Sequence, residues 1–169
     1  MYLETKGIVL NSVKYRETSV ICKIYTEKLG LQTYIMKGVR KKRGGSGYFQ
    51  TLSLLSLVVL YKKNKQINHI KEVKNTFVYK SIPFHVYKSS VAFFLAEIMT
   101  KCLKEEEGNR AMFNFISSSL IDFDNNDFDS QFHLRFLVSM SGYLGFFPNL
   151  EGHDLPYFDL VYLHQELNR

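Results

Sequence analysis

Across its first 80 residues the chain offers five short runs rich in β-branched and aromatic residues, each closed by turn residues, and no stretch with a helical repeat. Few folds satisfy that pattern. Gly7-Ile8-Val9-Leu10 leads to a polar break at Lys14-Tyr15-Arg16-Glu17. Ser19 to Tyr25 predicts a second strand, closed by Thr26-Glu27-Lys28-Leu29-Gly30, where Gly30 suits a positive φ. Leu31 to Met36 predicts a third strand. Leu52 to Tyr61 and Gln66 to Phe77 predict two more, joined by the hairpin-like Lys62-Lys63-Asn64-Lys65. Five short strands with no long helix among them predict a small closed barrel. A five-stranded oligonucleotide-binding (OB) fold is the natural candidate, with an SH3-like barrel as the alternative that strand count does not separate.

The period changes after Ser81-Ile82-Pro83, where the proline suits a helix start. Tyr87, Val91, Phe94, Leu95, Ile98 and Cys102 recur at three- and four-residue spacing and predict one apolar stripe, on a helix running into Lys104-Glu105-Glu106-Glu107 and stopping at Gly108. A second helix is predicted from Asn109 to Ile121, with Met112, Phe113, Ile116 and Leu120 on one side. The acidic stretch Asp122 to Asp129 reads as a loop. A third helix follows from about Ser130 to Tyr143, using Phe132, Phe136, Leu137 and Met140, and ends at Gly145 and Pro148. The fold class is therefore α+β: a barrel over residues 1–80, then an all-α domain over 81–169, with the boundary near residues 79–83.

Charge divides the chain at the same place. Residues 1–80 carry 16 Lys or Arg against 4 acidic residues, and residues 81–169 carry 6 against 12. The first half, at a net +12, raises a potential that a polyanionic partner best explains. Nucleic acid is favoured over a membrane surface, because this half shows no basic amphipathic helix. The densest basic segment is the predicted loop Lys37-Gly38-Val39-Arg40-Lys41-Lys42-Arg43-Gly44-Gly45-Ser46-Gly47, followed by Tyr48 and Phe49. Glycines let a backbone approach phosphates closely, and aromatic faces stack on bases. Lys37, Arg40, Lys41, Lys42 and Arg43 are the leading nucleic-acid-binding candidates, with Tyr15, Arg16 and Tyr48 as stacking or groove contacts. Lys62, Lys63 and Lys65 either extend a groove or protect a strand edge. Isolated lysines such as Lys23 and Lys74 read as solvating strand faces.

Catalytic patterns are weak. The glycine-rich stretch lacks the order of a phosphate-binding GxxxxGK[ST] loop, and no GxSxG or dinucleotide fingerprint occurs. His153, Asp154, Asp159, His164 and Glu166 are the residue types of a metal-dependent nuclease, but without paired spacing on one helix face. Asp122, Asp124, Asp127 and Asp129 lack the spacing of a calcium loop. Cys22 and Cys102 are too few for a disulfide framework and read as small buried hydrophobes of a reducing compartment. No catalytic residue, metal or cofactor is expected. The N-terminus lacks the core of a signal peptide, and the longest apolar run, Leu57 to Tyr61, is too short to cross a bilayer. A soluble cytoplasmic, nucleoid-associated protein with no membrane partner is expected.

Lys6-Gly7-Ile8-Val9-Leu10, Tyr15-Arg16-Glu17-Thr18-Ser19, Tyr25-Thr26-Glu27-Lys28-Leu29-Gly30-Leu31, Lys37-Gly38-Val39-Arg40-Lys41 and the apolar strand from Leu52 to Tyr61 together resemble the opening of the RecO family of bacterial recombination mediators. Leu95-Ala96-Glu97 and Gly142-Tyr143-Leu144-Gly145 with Phe147-Pro148 extend the likeness, which spans roughly residues 3–150. The resemblance implies an N-terminal OB fold and a C-terminal helical domain. It also implies binding of single- and double-stranded DNA, annealing of complementary strands, and joint action with RecR and single-stranded-DNA-binding protein (SSB) to load RecA. Some family members carry a four-cysteine zinc site after this last motif. Asn149-Leu150-Glu151-Gly152-His153-Asp154 contains no cysteine, so no zinc is expected. Family members usually continue with further helices beyond the point that matches Arg169, so the helical domain is expected to be incomplete. A generic OB-fold RNA-binding protein and a metal-dependent nuclease are the rival readings.

Overall fold

A computed structural model describes residues 1–39, 45–63, 65–103 and 107–146. Five strands, β1 (Tyr2–Tyr15), β2 (Ser19–Thr26), β3 (Gly30–Met36), β4 (Leu54–Leu60) and β5 (Ile67–Phe77), close into a barrel in the order β1-β2-β3-β5-β4. Neighbours are antiparallel except β3 and β5, which pair in parallel. That order is the OB arrangement and settles the choice between the two barrels.

β1 is far longer than the predicted Gly7–Leu10 because it serves two neighbours. Residues 2–8 pair with β4 and residues 7–15 with β2. The register slips between Val9 and Asn11, and Ile8, Val9 and Leu10 are all buried there, which breaks the alternation that would mark one continuous strand. Gly7 sits where both pairings overlap. A Cβ on it would lie 2.6 Å from Ile24 Cγ2 and 3.0 Å from Leu57 Cδ1. Gly30 adopts φ 62° at the β2–β3 turn, as expected. The barrel interior is filled by Val9, Ile24, Tyr34, Leu55, Leu57 and their neighbours. Cys22 is among them, and burial pushes its thiol up to about 12, so it packs as an apolar filler. Cys102 departs from expectation: it is exposed.

Three helices follow: α1 (Val86–Cys102), α2 (Arg110–Asn125) and α3 (Phe132–Tyr143). The barrel with α1 and α2, Met1–Asn126, forms one compact unit, and the described residues from Asp127 onward belong to a second. α1 begins three residues after Pro83, capped by His85, whose Nδ1 accepts from the Lys88 N–H. It ends at Cys102, where Leu103 turns extended and enters the core; Lys104, Glu105 and Glu106 lie outside the described residues. Its buried face matches the predicted one only in part: Leu95 is buried and Val91 and Ile98 are half-buried. Lys88, Ala92, Leu95, Ala96 and Met99 are buried, whereas Tyr87, Phe94 and Cys102 are exposed. Apolar residues surround most of this helix, so spacing alone cannot choose the buried face. In α2 the predicted Met112, Phe113, Ile116 and Leu120 are all buried, each contributing about 1.5–3 kcal/mol of transfer free energy. The Asn109 side chain caps it by accepting from Met112 N–H at 3.0 Å. α2 seats on the β2–β3 turn. Phe113 stacks on Tyr25 at 6.3 Å, Arg110 pairs with Glu27 at 3.2 Å, and a Cβ on Gly108 would meet the Glu27 carbonyl oxygen at 2.5 Å.

The acidic stretch is only partly a loop, because α2 continues through Asp122-Phe123-Asp124-Asn125. The reason is Asp124. Its carboxylate is buried and accepts from the backbone N–H groups of Lys80, Ser81 and Ile82, each at 2.8 Å. Burial alone would raise its pKa, but these hydrogen bonds and that of the Ser81 hydroxyl together hold it below the ordinary carboxylate value. The buried Lys88 ammonium donates to Ser81 Oγ at 2.7 Å and to the carbonyls of Asp124 and Asn126, and lies over the Phe123 ring at 5.5 Å. The connection between β5 and α1 is thus tied to the end of α2. In the second unit, α3 starts at Phe132, buries Phe136, Val138 and Met140, and is preceded by Asp129, which pairs with Arg135.

Candidate nucleic-acid interface

Strand pairing assembles a basic surface from residues far apart in the sequence. Across the sheet the register runs Val13 to Ile21, Ile21 to Ile35, and Ile35 to His69. The exit of β3, where Lys37 stands exposed, therefore lies between β5 on one side and, through the Met36–Val20 pairing, the β2 arm of the β1–β2 hairpin on the other. The half-buried His69 lies on β5 in this region. Burial first, and then the charges of Lys37, Lys65, Lys71 and Lys62, hold its pKa below the ordinary imidazole value. Lys62, Lys65 and Lys71 are all exposed and belong to the β4–β5 hairpin and to β5. The sequence singled out the hairpin lysines but could not show that they share a field with Lys37.

A second feature adjoins this surface. A short 3-10 turn, Gly45–Phe49, precedes β4, and its Tyr48 packs half-buried against the barrel core. Tyr48 and Val39 face β5 across a cleft of about 480 Å3, whose other walls are Met36, Lys71, Glu72, Val73 and Lys74. Four consecutive β5 residues reach one cleft because the β4–β5 register slips here: Val58 pairs with Glu72 but Val59 with Ile70, leaving Lys71 as an extra residue. Lys74, read from the sequence as solvating a strand face, is exposed and stands at one wall of this cleft.

Tyr15 and Arg16 occupy the β1–β2 hairpin, both exposed. Arg16 has φ 52°, and its guanidinium lies over the Tyr15 ring at 5.2 Å. Among the predicted residues, Lys37, Tyr15, Arg16 and Tyr48 are thus placed on the barrel. Arg40, Lys41, Lys42 and Arg43 lie outside the described residues, as do His153, Asp154, Asp159, His164, Glu166 and the region expected to lack zinc. Among the described residues, no cluster of His, Cys, Asp or Glu is arranged to hold a metal ion. None of the described helices is long and apolar enough to cross a membrane.

Two family models match the chain, Recombination protein O N terminal over residues 1–79 and Recombination protein O C terminal over residues 85–153. The chain belongs to the RecO family. Its relatives include the DNA repair proteins RecO of Flavobacterium johnsoniae and Christiangramia forsetii, 35% and 37% identical over 95% of this chain and 69% of each relative. The RecO of Bacteroides fragilis is 36% identical over 95% of the chain and 68% of its own length. This RecO-family chain is accordingly a DNA repair and recombination protein. RecO proteins are recombination mediators and not enzymes, in agreement with the non-enzymatic expectation.

Proposed function

We propose that this chain binds single- and double-stranded DNA on the basic face of its barrel, anneals complementary strands, and acts with RecR and SSB to load RecA. The observation that carries the DNA-binding part is the parallel β3–β5 pairing of an OB barrel, which sets the exposed Lys37 at the exit of β3 beside β5 with its exposed Lys71. Phosphate contacts made by such a field are insensitive to sequence and weaken with salt. Arg40, Lys41, Lys42 and Arg43 follow Lys37 in the sequence after Gly38 and Val39 and add to the same phosphate-binding segment. The Tyr15–Arg16 pair offers a planar surface at the hairpin for a base or a sugar-phosphate edge. In this reading residues 1–80 bind nucleic acid and residues 81–169 dock protein partners, in the cytoplasm at the nucleoid.

The deciding experiment is annealing of complementary oligonucleotides pre-coated with the cognate SSB. Acceleration by this chain supports the mediator reading. Binding to naked DNA without acceleration on coated strands reduces the chain to a generic OB-fold binder, and absence of both overturns the proposal.

A further inference from the structure

The cleft between Tyr48 and β5 differs from the lysine field in what it offers. Met36 and Val39 are almost fully buried and make an apolar floor, with the half-buried Val73 beside them. Tyr48 is half-buried, packs against the core and lines the cleft. Lys71 and Lys74 stand exposed at the walls, and Glu72 between them places one carboxylate at the same opening. A purely electrostatic phosphate track needs neither an apolar floor nor a ring, and a carboxylate within it would oppose binding. An unstacked nucleobase fits each element. Its face lies on the tyrosine and the apolar floor, its amino edge can donate to Glu72, and its flanking phosphates meet the two lysines.

We propose that this cleft is a subsite for one extruded base of a single strand, so that the chain draws affinity from single-stranded nucleic acid that a duplex cannot supply. The inference rests on the reading of the barrel as a nucleic-acid-binding module and deepens it. In a duplex the bases are stacked on one another and present only groove edges and phosphates, so the tyrosine face and the floor stay unused. Duplex binding then depends on the lysines alone, and single-strand binding on lysines plus stacking.

The test compares binding of a fluorescent mixed-sequence oligonucleotide, alone and annealed to its complement, by the full chain and its variants. Tyr48→Ala is expected to weaken single-strand binding roughly 5- to 150-fold and to leave duplex binding within about twofold. Tyr48→Phe retains the ring and is expected to keep single-strand binding. Lys71→Ala with Lys74→Ala lowers both. Equal losses on the two substrates with Tyr48→Ala, or no loss on either, overturn the subsite while the wild-type affinities leave the DNA-binding reading intact. If the wild-type chain binds neither substrate, the broader reading fails first. Because Tyr48 also touches the core, a second readout uses only the wild-type chain. Photocrosslinking of a 5-iodouracil-bearing strand is expected to mark Tyr48 when the strand is single and not when it is paired. Crosslinking that misses Tyr48, or marks it equally in duplex, rejects the subsite.

Discussion

Removing the Asp124 carboxylate would take the acceptor from three backbone N–H groups at once, those of Lys80, Ser81 and Ile82. Buried donors left unpaired are costly, so Asp124→Ala is expected to lower unfolding free energy by about 3 kcal/mol. The same carboxyl makes stability depend on pH. Its folded pKa lies below the unfolded value, so the native state binds fewer protons, and the stabilisation is complete above the unfolded carboxylate pKa of about 4 and disappears as pH falls through the folded value. Urea midpoints measured from pH 7 down to pH 3 should fall in the acid range for the wild-type chain. Asp124→Asn should start lower at neutral pH and lack this component of the decline. A variant as stable as wild type at pH 7 would show that the network does not hold the β5–α1 connection.

At the scale of elements, β1 pairs with β4 through its first half and with β2 through its second, the two pairings overlapping at Gly7 and Ile8. Its length is possible because Gly7 leaves room for Ile24 and Leu57. Ile24 is β-branched and fully buried, so its Cγ2 cannot swing away from a new methyl group. Gly7→Ala is therefore expected to destabilise the barrel by about 1–3 kcal/mol through overpacking. Combining it with Ile24→Ala, which removes the clashing atom, should cost less than the sum of the two single changes. A strictly additive double variant in chemical denaturation would locate the strain elsewhere.

For the molecule as a whole, part of the net +12 of the first half is gathered by strand pairing, which sets Lys37 at the exit of β3 beside β5 and its Lys71. Replacing Lys37, Lys62, Lys65 and Lys71 with Ala should weaken binding to DNA of every sequence. It should also reduce the slope of log affinity against log salt, by up to about 0.9 for each duplex phosphate that is no longer neutralised. An unchanged slope would remove this face from the interface, leaving the loop from Arg40 to Arg43 and the β1–β2 hairpin to be tested in the same way.

The sequence by itself determined where most elements lie. Strands β2 to β5 and the Met112, Phe113, Ile116 and Leu120 face of α2 follow from side-chain period, and the turn at Gly30 from backbone sterics, all of which act over a few residues. Composition likewise showed that the first half is basic. Tertiary structure decided the rest. Closure in the order β1-β2-β3-β5-β4 depends on which strand edges meet, and only that order brings Lys37 beside His69. The buried face of α1 depends on its partners, because apolar residues lie all round it and the anchor is a lysine. Asp124 read as one acid among several in a loop, since its three donors sit more than 40 residues earlier in the chain. Lys71 and Lys74 reach the Tyr48 cleft through a register slip that no local pattern announces. Local rules fix conformation within a few residues, while pairing, packing and charge convergence are energies between distant ones.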